Sequence, residues 1–287
     1  MGYVYLLLQA LIYSFGGILI KTTAASFSPF MVSFLRFAIG VYILLLLQLM
    51  RGGKVHLTLW DRTILLGGAA KAVHYMGENY GVMRGFSYGN VVIWPVQTVV
   101  ILLLSTFIFK EKVTPRMTAG AFLCVSGIML LTRNGMPWED FLGGQGPLLL
   151  AFVLAGIGAS LFSVAQKRLL DRMNTVELNN SMFLIGGACT AGVLPFTDAP
   201  VAGFQLPAAA AMLALGVITG VGFLLQAEAL KTVPIFAATV VQSSTVILSL
   251  FWAALLYHER ITGWIVAGTA LFLAGIIIVN HKEKPNG

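Results

Sequence analysis

Apolar residues along this chain gather in runs of 18 to 24 positions, separated by short stretches where charged residues, glycine and proline collect. The runs occupy 3–23, 29–50, 62–83, 88–109 and 115–132 in the first half, and 147–166, 176–196, 208–229, 234–257 and 262–280 in the second. A helix crosses a hydrocarbon layer of ~30 Å in about 20 residues. Lipid leaves exposed backbone groups unsatisfied, and these runs are about twice as long as a membrane β-strand and lack its alternation. The pattern predicts an all-α integral membrane protein with ten transmembrane helices. The first run has no lysine or arginine ahead of it and no small-residue cleavage site, so it reads as a retained span rather than a signal peptide.

Composition narrows the classes further. The 287 residues are 58% hydrophobic and 10% charged, with a mean hydropathy of +0.88. A soluble domain carries roughly 25% charged residues, so too few are present to coat a globular surface. Cys124 and Cys189 both lie inside apolar runs, which leaves no disulfide framework and no CxxC metal site. No cofactor and no metal are expected. The net charge of +7 sits as single or paired residues at the ends of the runs, a membrane pattern and not a nucleic-acid stripe.

Lysine and arginine placement sets the expected orientation. Twelve (Arg51, Lys54, Arg62, Lys110, Lys112, Arg116, Lys167, Arg168, Arg172, Lys231, Lys282, Lys284) fall on the side of the N-terminus, and four (Lys21, Arg84, Arg133, Arg260) on the opposite side. Both termini are therefore expected in the cytoplasm, in a multi-pass protein of the cytoplasmic membrane. The remaining two, Arg36 and Lys71, lie within spans.

The chain also repeats itself. At an offset of 148, Gly68 matches Gly216, Glu111 matches Glu259, Thr114 matches Thr262, Gly120 matches Gly268 and Gly127 matches Gly275. An offset of 146 pairs Ser14 with Ser160, Lys21 with Lys167 and Gly40 with Gly186. The organisation read from this is a first repeat at 1–134, a linker at 135–146, a second repeat at 147–281 and a cytoplasmic tail at 282–287. With five spans per copy, the second copy enters the bilayer upside down, an inverted repeat suited to alternating access.

The half-ends IFKEKVTPRMTAGAFLCVSGIMLL (108–131) and LYHERITGWIVAGTALFLAGIIIV (256–279) resemble the EamA-type repeat of the drug/metabolite transporter superfamily. The resemblance covers essentially the whole chain. It implies a secondary transporter with a central cavity formed by spans 1 to 4 and 6 to 9, with spans 5 and 10 peripheral and the fold self-contained as a monomer. Many members carry Glu-Pro in the fourth helix of each repeat, where this chain has Trp94-Pro95 and Gln242-Ser243. Family members carry diverse solutes, so the cavity residues must identify the cargo.

Those residues start in span 3, where Gly67, Gly68, Lys71, His74, Tyr75 and Glu78 recur at steps of three and four on one face. A lysine at the bilayer centre costs about 2.5 to 3.5 kcal/mol on insertion scales, and faces water or a partner. Two readings stand for Lys71 and Glu78: internal salt bridges that hold the bundle, or a charged cavity wall. Arg36 on span 2 lies at a depth similar to Glu78, and the two are expected to form an outer ion pair or gate. Lys71, two turns deeper, is left to meet a carboxylate or phosphate. His74 lies one turn from both Lys71 and Glu78, either as a proton relay or simply hydrogen-bonded in place.

The repeat carries Lys71, Tyr75 and Glu78 onto Thr219, Phe223 and Gln226 of span 8, keeping polarity and losing charge. In span 4, Asn90, Trp94, Gln97 and Thr98 share a face, and span 9 offers Gln242, Thr245 and Ser249. These amides and hydroxyls read equally as cavity wall or as interhelical glue worth ~0.6 kcal/mol each. Trp94 and Tyr75 suit stacking on a planar or cationic group, or plain packing. Gly16 and Gly17, like Gly67 and Gly68, suit close packing or bending.

Other polar residues read as structural. Glu228 is expected to pair with Lys231 at the cytoplasmic boundary. Glu111 and Glu259 precede helix starts that Thr114 and Thr262 cap, with Pro115 in the first turn. Lys21, Arg84, Arg133 and Trp138 are expected at interfaces.

The pattern thus points to a secondary active transporter of a small polar metabolite, with an amino-acid-like zwitterion leading because both charge signs and aromatics line the expected cavity. Organic cations, quaternary amines among them, and organic anions are the alternatives; Glu78 favours cations, Lys71 with Arg36 anions. Protons are the candidate coupling ion. An intramembrane enzyme would need a nucleophile with its base or a metal motif, and the sequence presents neither at suitable depth.

Overall fold

The computed structural model describes residues 1–50, 56–85, 90, 93–110, 113–143, 146–197, 203–258 and 260–280, and no strand occurs among them. The helices are α1 (Gly2–Tyr13), α2 (Gly16–Thr23), α3 (Pro29–Met50), α4 (Arg62–Arg84), α5 (Ile93–Ile108), α6 (Pro115–Arg133) and α7 (Trp138–Gly143). They continue with α8 (Gly146–Leu169), α9 (Thr175–Val193), α10 (Leu206–Leu230), α11 (Ile235–Gln242), α12 (Thr245–Tyr257) and α13 (Gly263–Asn280). Among the described residues five stretches are long and apolar enough to cross a membrane: Gly2–Thr23, Pro29–Met50, Gly146–Leu169, Leu206–Leu230 and Ile235–Leu256. Shorter apolar helices occupy Ile93–Ile108, Pro115–Leu131 and Gly263–Gly275. Leu66, Phe107, Phe122 and Leu213 are exposed on the outside of the bundle, as lipid-facing side chains are.

Among the described residues, helix occupies most of each apolar window, with local departures. The first is broken between α1 and α2, where the Ser14 hydroxyl donates to the Leu11 carbonyl at 2.6 Å. The ninth is broken between α11 and α12, where Ser243 donates to the Thr239 carbonyl at 2.9 Å. Serine competes for backbone acceptors in this way and bends helices. In the window expected at 88–109 the described α-helix starts at Ile93 and Asn90 is in 3-10 conformation, while 88, 89, 91 and 92 lie outside the described residues. In the seventh window α9 stops at Val193, and a 3-10 turn at Leu194–Phe196 takes up Pro195, which cannot continue the ladder. The linker contains the short α7.

Packing partners occur in exchange-related sets. Helices α6 and α13 run antiparallel at backbone contact. A Cβ on Gly127 would lie 2.6 Å from the Gly268 carbonyl oxygen, and one on Gly275 would lie 2.6 Å from that of Gly120. Gly120 and Gly268 are repeat equivalents, as are Gly127 and Gly275, so the contact of Gly127 with Gly268 recurs between their counterparts Gly275 and Gly120, as in a two-fold contact. Likewise α4 packs on α8, while α10, the counterpart of α4, packs on α1 and α2. Lys21 donates to the Gly85 carbonyl just past α4, and its counterpart Lys167 donates to the Leu230 carbonyl that ends α10. Cations complement the negative ends of helices, so Lys21 holds a helix end in addition to its expected interfacial place.

The two half-end turns match as well. Lys110 and His258, 148 positions apart, both take left-handed backbone with φ of 52°. Thr114 Oγ1 accepts from the Met117 amide at 3.3 Å and Thr262 Oγ1 from the Ile265 amide at 3.4 Å, the expected caps. Glu111 and Glu259, read as turn residues, lie outside the described residues.

Candidate functional site

Helix α4 carries the charged groups and is positioned at both of its faces. Asp61 caps its start, accepting from the Thr63 amide at 2.7 Å and the Ile64 amide at 3.3 Å. Gly67 and Gly68 lie against α9, where added Cβ atoms would meet Met182 and Ile185 at 2.8 Å and 2.6 Å; packing is their role. On the other side, Gly158 of α8 has no room for a Cβ, which would sit 2.4 Å from the Ala70 carbonyl oxygen. That close approach brings the Ala155 carbonyl to His74 Nδ1 at 2.9 Å. A carbonyl only accepts, so Nδ1 carries the proton and Nε2 faces Glu78, 3.7 Å away.

The expected pair of Arg36 and Glu78 is formed. Arg36 Nη1 donates to Glu78 Oε2 at 2.8 Å and to Asn79 Oδ1 at 2.9 Å, and Nε donates to Thr219 Oγ1 at 3.3 Å. The guanidinium carbon stands 3.7 Å from the Tyr75 ring centroid. The other carboxylate oxygen of Glu78 accepts from Asn90 Nδ2 at 3.4 Å. Asn79, buried and not singled out by the sequence pattern, also donates to Ser33 at 2.8 Å.

Lys71 is 2% exposed and makes no ion pair or hydrogen bond among the described residues. Its ammonium stands 3.8 Å from the Phe223 ring centroid, 4.4 Å from Tyr75 and 5.0 Å from Phe162. Tyr75 in turn donates to Thr219 at 3.3 Å, joining the two halves where the repeat equates Lys71 with Thr219.

These groups surround a central cavity. Arg36, Lys71, His74, Tyr75 and Glu78 line it from the first half, with Asn90, Trp94 and Gln97. Phe223, Gln226, Gln242 and Thr245 line it from the second. Thr219 stands behind Arg36 and Tyr75 and is not a lining residue, and the Thr98 hydroxyl is spent on the Trp94 carbonyl at 2.8 Å. Ser249 and Thr245 bind the break in the first span, donating to the Ser14 carbonyl at 3.2 Å and the Ala10 carbonyl at 3.3 Å. Gly16 lines the cavity with nothing within 4 Å of where its Cβ would be.

Sequence patterning missed Gln9, a solitary amide in an apolar helix. It accepts from Gln242 Nε2 at 2.6 Å and donates to Gln226 Oε1 at 2.9 Å, and Gln226 donates to Ser163 at 3.0 Å. This chain of amides joins α1 to both second-half helices. The available signal was a lone polar residue in a span, since such residues face the interior. Tyr13 and Phe162 were missed because aromatics at helical spacing look like packing. Among the described residues, two buried polar atoms on lining residues, Tyr13 Oη and Asn90 Oδ1, have no hydrogen-bond partner.

The residues set aside fall elsewhere. Lys231 pairs with Glu228 at 3.0 Å, and Glu228 also accepts from Thr175 at 2.6 Å. Arg133 donates to the Met136 carbonyl at 2.6 Å and lies 4.6 Å from the Trp138 ring centroid, while Arg84 lies 4.7 Å from that of Tyr80. Among the described residues no three His, Cys, Asp or Glu come together as a metal site would require.

A family model described as the EamA-like transporter family matches residues 1–133 and 146–281. The chain belongs to the EamA-like transporter family. This EamA-like chain is 22% identical over 265 residues to a protein of Archaeoglobus fulgidus described as an uncharacterized transporter, covering 92% of this chain and 93% of that one. A solved structure, described only as the crystal structure of a protein, superposes with a TM-score of 0.81 over 97% of each chain at 20% identity, a likeness of fold alone. The family is one of membrane transporters, not enzymes.

Proposed function

We propose that the protein carries a small zwitterion of amino-acid type across the cytoplasmic membrane by alternating access, with Lys71 receiving the solute's carboxylate. The observation that carries this reading is the division of charge in the cavity. Glu78 is engaged by Arg36 at 2.8 Å, whereas Lys71 has three N–H donors and no acceptor among the described residues. One positive charge is thus left over, and organic cations are disfavoured. Asn90 supplies the complement. Its amide donates to a carboxylate, which can only accept, so its oriented Oδ1, without a partner among the described residues, offers itself to the solute's ammonium. Phe162, Phe223 and Trp94 line the space for a less polar body.

The five-plus-five inverted organisation, with termini inside, is part of the same proposal. The exchange-related packing of α6 with α13 supports it, as does the excess of lysine and arginine on one side. The broken helices α1/α2 and α11/α12 meet beside the cavity, the placement in which discontinuous helices serve rocking carriers.

The test is uptake into proteoliposomes of labelled neutral amino acids, short carboxylates and alkylamines. Carboxylate-bearing solutes are taken up, amines are not, and Lys71→Gln lowers uptake about 10- to 100-fold, the value of a charge-assisted hydrogen bond. Uptake confined to amines, or uptake unchanged in Lys71→Gln, overturns the reading.

A further inference from the structure

The three rings around Lys71 have the arrangement that holds a free ammonium ion. All three centroids lie within 5.0 Å of Nζ, inside the roughly 6 Å over which an aromatic quadrupole attracts a cation. They come from three helices, α4, α8 and α10, and brace one another. Phe162 meets Phe223 edge-on at 5.1 Å, and Tyr75 stands 6.4 Å from Phe223. Phe162 and Tyr75 are fully buried and Phe223 is 5% exposed, so the cage is preformed. A lysine seeking a counter-charge would turn to Glu78, but Arg36 holds that carboxylate.

We infer that Lys71 is the built-in occupant of a cation-binding aromatic cage, and that it bars organic ammonium ions lacking a carboxylate from the carrier. It does so by filling the cage and by repelling a second positive charge. Discrimination of this kind comes from an element placed against the wrong ligand as much as from contacts to the right one. The inference rests on the reading of the cavity as the solute site, and names what that site refuses. A zwitterion is admitted because its carboxylate gives the lysine an acceptor and offsets its charge, while the solute's ammonium goes to Asn90 Oδ1 outside the cage.

The experiment uses the purified full chain in detergent, with tetramethylammonium as probe and calorimetry and melting temperature as readouts. Lys71→Gln binds tetramethylammonium at least about tenfold more tightly than the unmodified protein, the size of a desolvated cation–π contact. Lys71→Ala, which empties the cage altogether, gives the same gain and serves if the glutamine variant is not monodisperse. Adding Phe223→Ala to either variant abolishes the gain, and choline binds the variants better than its uncharged isostere 3,3-dimethylbutan-1-ol. Equal binding by the unmodified protein overturns the inference. Gained binding that survives Phe223→Ala also overturns it, because the cation would then sit on Glu78. These readouts do not depend on carboxylate uptake, so failure of the cage and failure of the proposed cargo are distinguishable.

Discussion

Replacing Arg36 by methionine removes the partner of a carboxylate that the bundle encloses. Arg36 and Glu78 meet at 2.8 Å with side chains 7% and 11% exposed. At an effective dielectric of about 20 this separation gives a Coulomb attraction of at most about 6 kcal/mol, and part of it offsets the desolvation of both ions. Breaking such a pair at one end costs about 3 to 5 kcal/mol, while replacing both ends by apolar groups is often close to neutral. The structure predicts which single change is worse. Without Arg36, Glu78 keeps among the described residues the 3.4 Å contact to Asn90 and the histidine at 3.7 Å. Without the Glu78 carboxylate, Arg36 keeps Asn79, Thr219 and the Tyr75 ring. Arg36→Met should therefore cost more than Glu78→Met, and the double variant less than Arg36→Met alone. Unfolding by sodium dodecyl sulfate titration in mixed micelles, run on all four proteins, gives the coupling energy. A coupling of about 3 kcal/mol or more is expected. Single effects that add to within about 0.5 kcal/mol, as independent sites do, would refute the pair as a structural unit.

Other substitutions follow from the same geometry. Gly127→Ala drives a Cβ to 2.6 Å from backbone atoms of Gly268 and Phe272 and should cost about 1 to 3 kcal/mol by overpacking; Gly16→Ala, with open space, should leave the melting temperature unchanged. Gln9→Leu strands the amides of Gln242 and Gln226, an expected loss of about 1 to 3 kcal/mol, read as a lower melting temperature. Lys231→Ala removes an exposed pair with Glu228 and should change stability by less than about 1 kcal/mol in the same assay.

The helical windows were legible because lipid imposes a simple rule of length and apolarity, and the internal repeat because glycine and threonine recur where backbones touch or helices start. Lys71, Glu78 and Arg36 stood out by their cost, since charge inside a span demands a reason. The breaks at Ser14 and Ser243 were not legible: serine in an apolar run reads the same whether it bends the helix or merely sits in it. Gln9 was hidden by its isolation, for its partners Gln226 and Gln242 lie more than 200 residues away. Sequence reasoning left Lys71 to meet a carboxylate or phosphate; that aromatic rings from three helices surround it is a convergence that spacing along one helix does not encode.

The central claim, that this cavity is a solute site open in turn to each side of the membrane, is tested most directly by accessibility at Gln97. A Gln97→Cys variant, with Cys124 and the exposed Cys189 replaced by alanine, is labelled in proteoliposomes with a membrane-impermeant thiol reagent applied from either side. The account predicts modification from both sides, slowed by a transported carboxylate solute. Labelling from neither side, or labelling indifferent to solute, would contradict it.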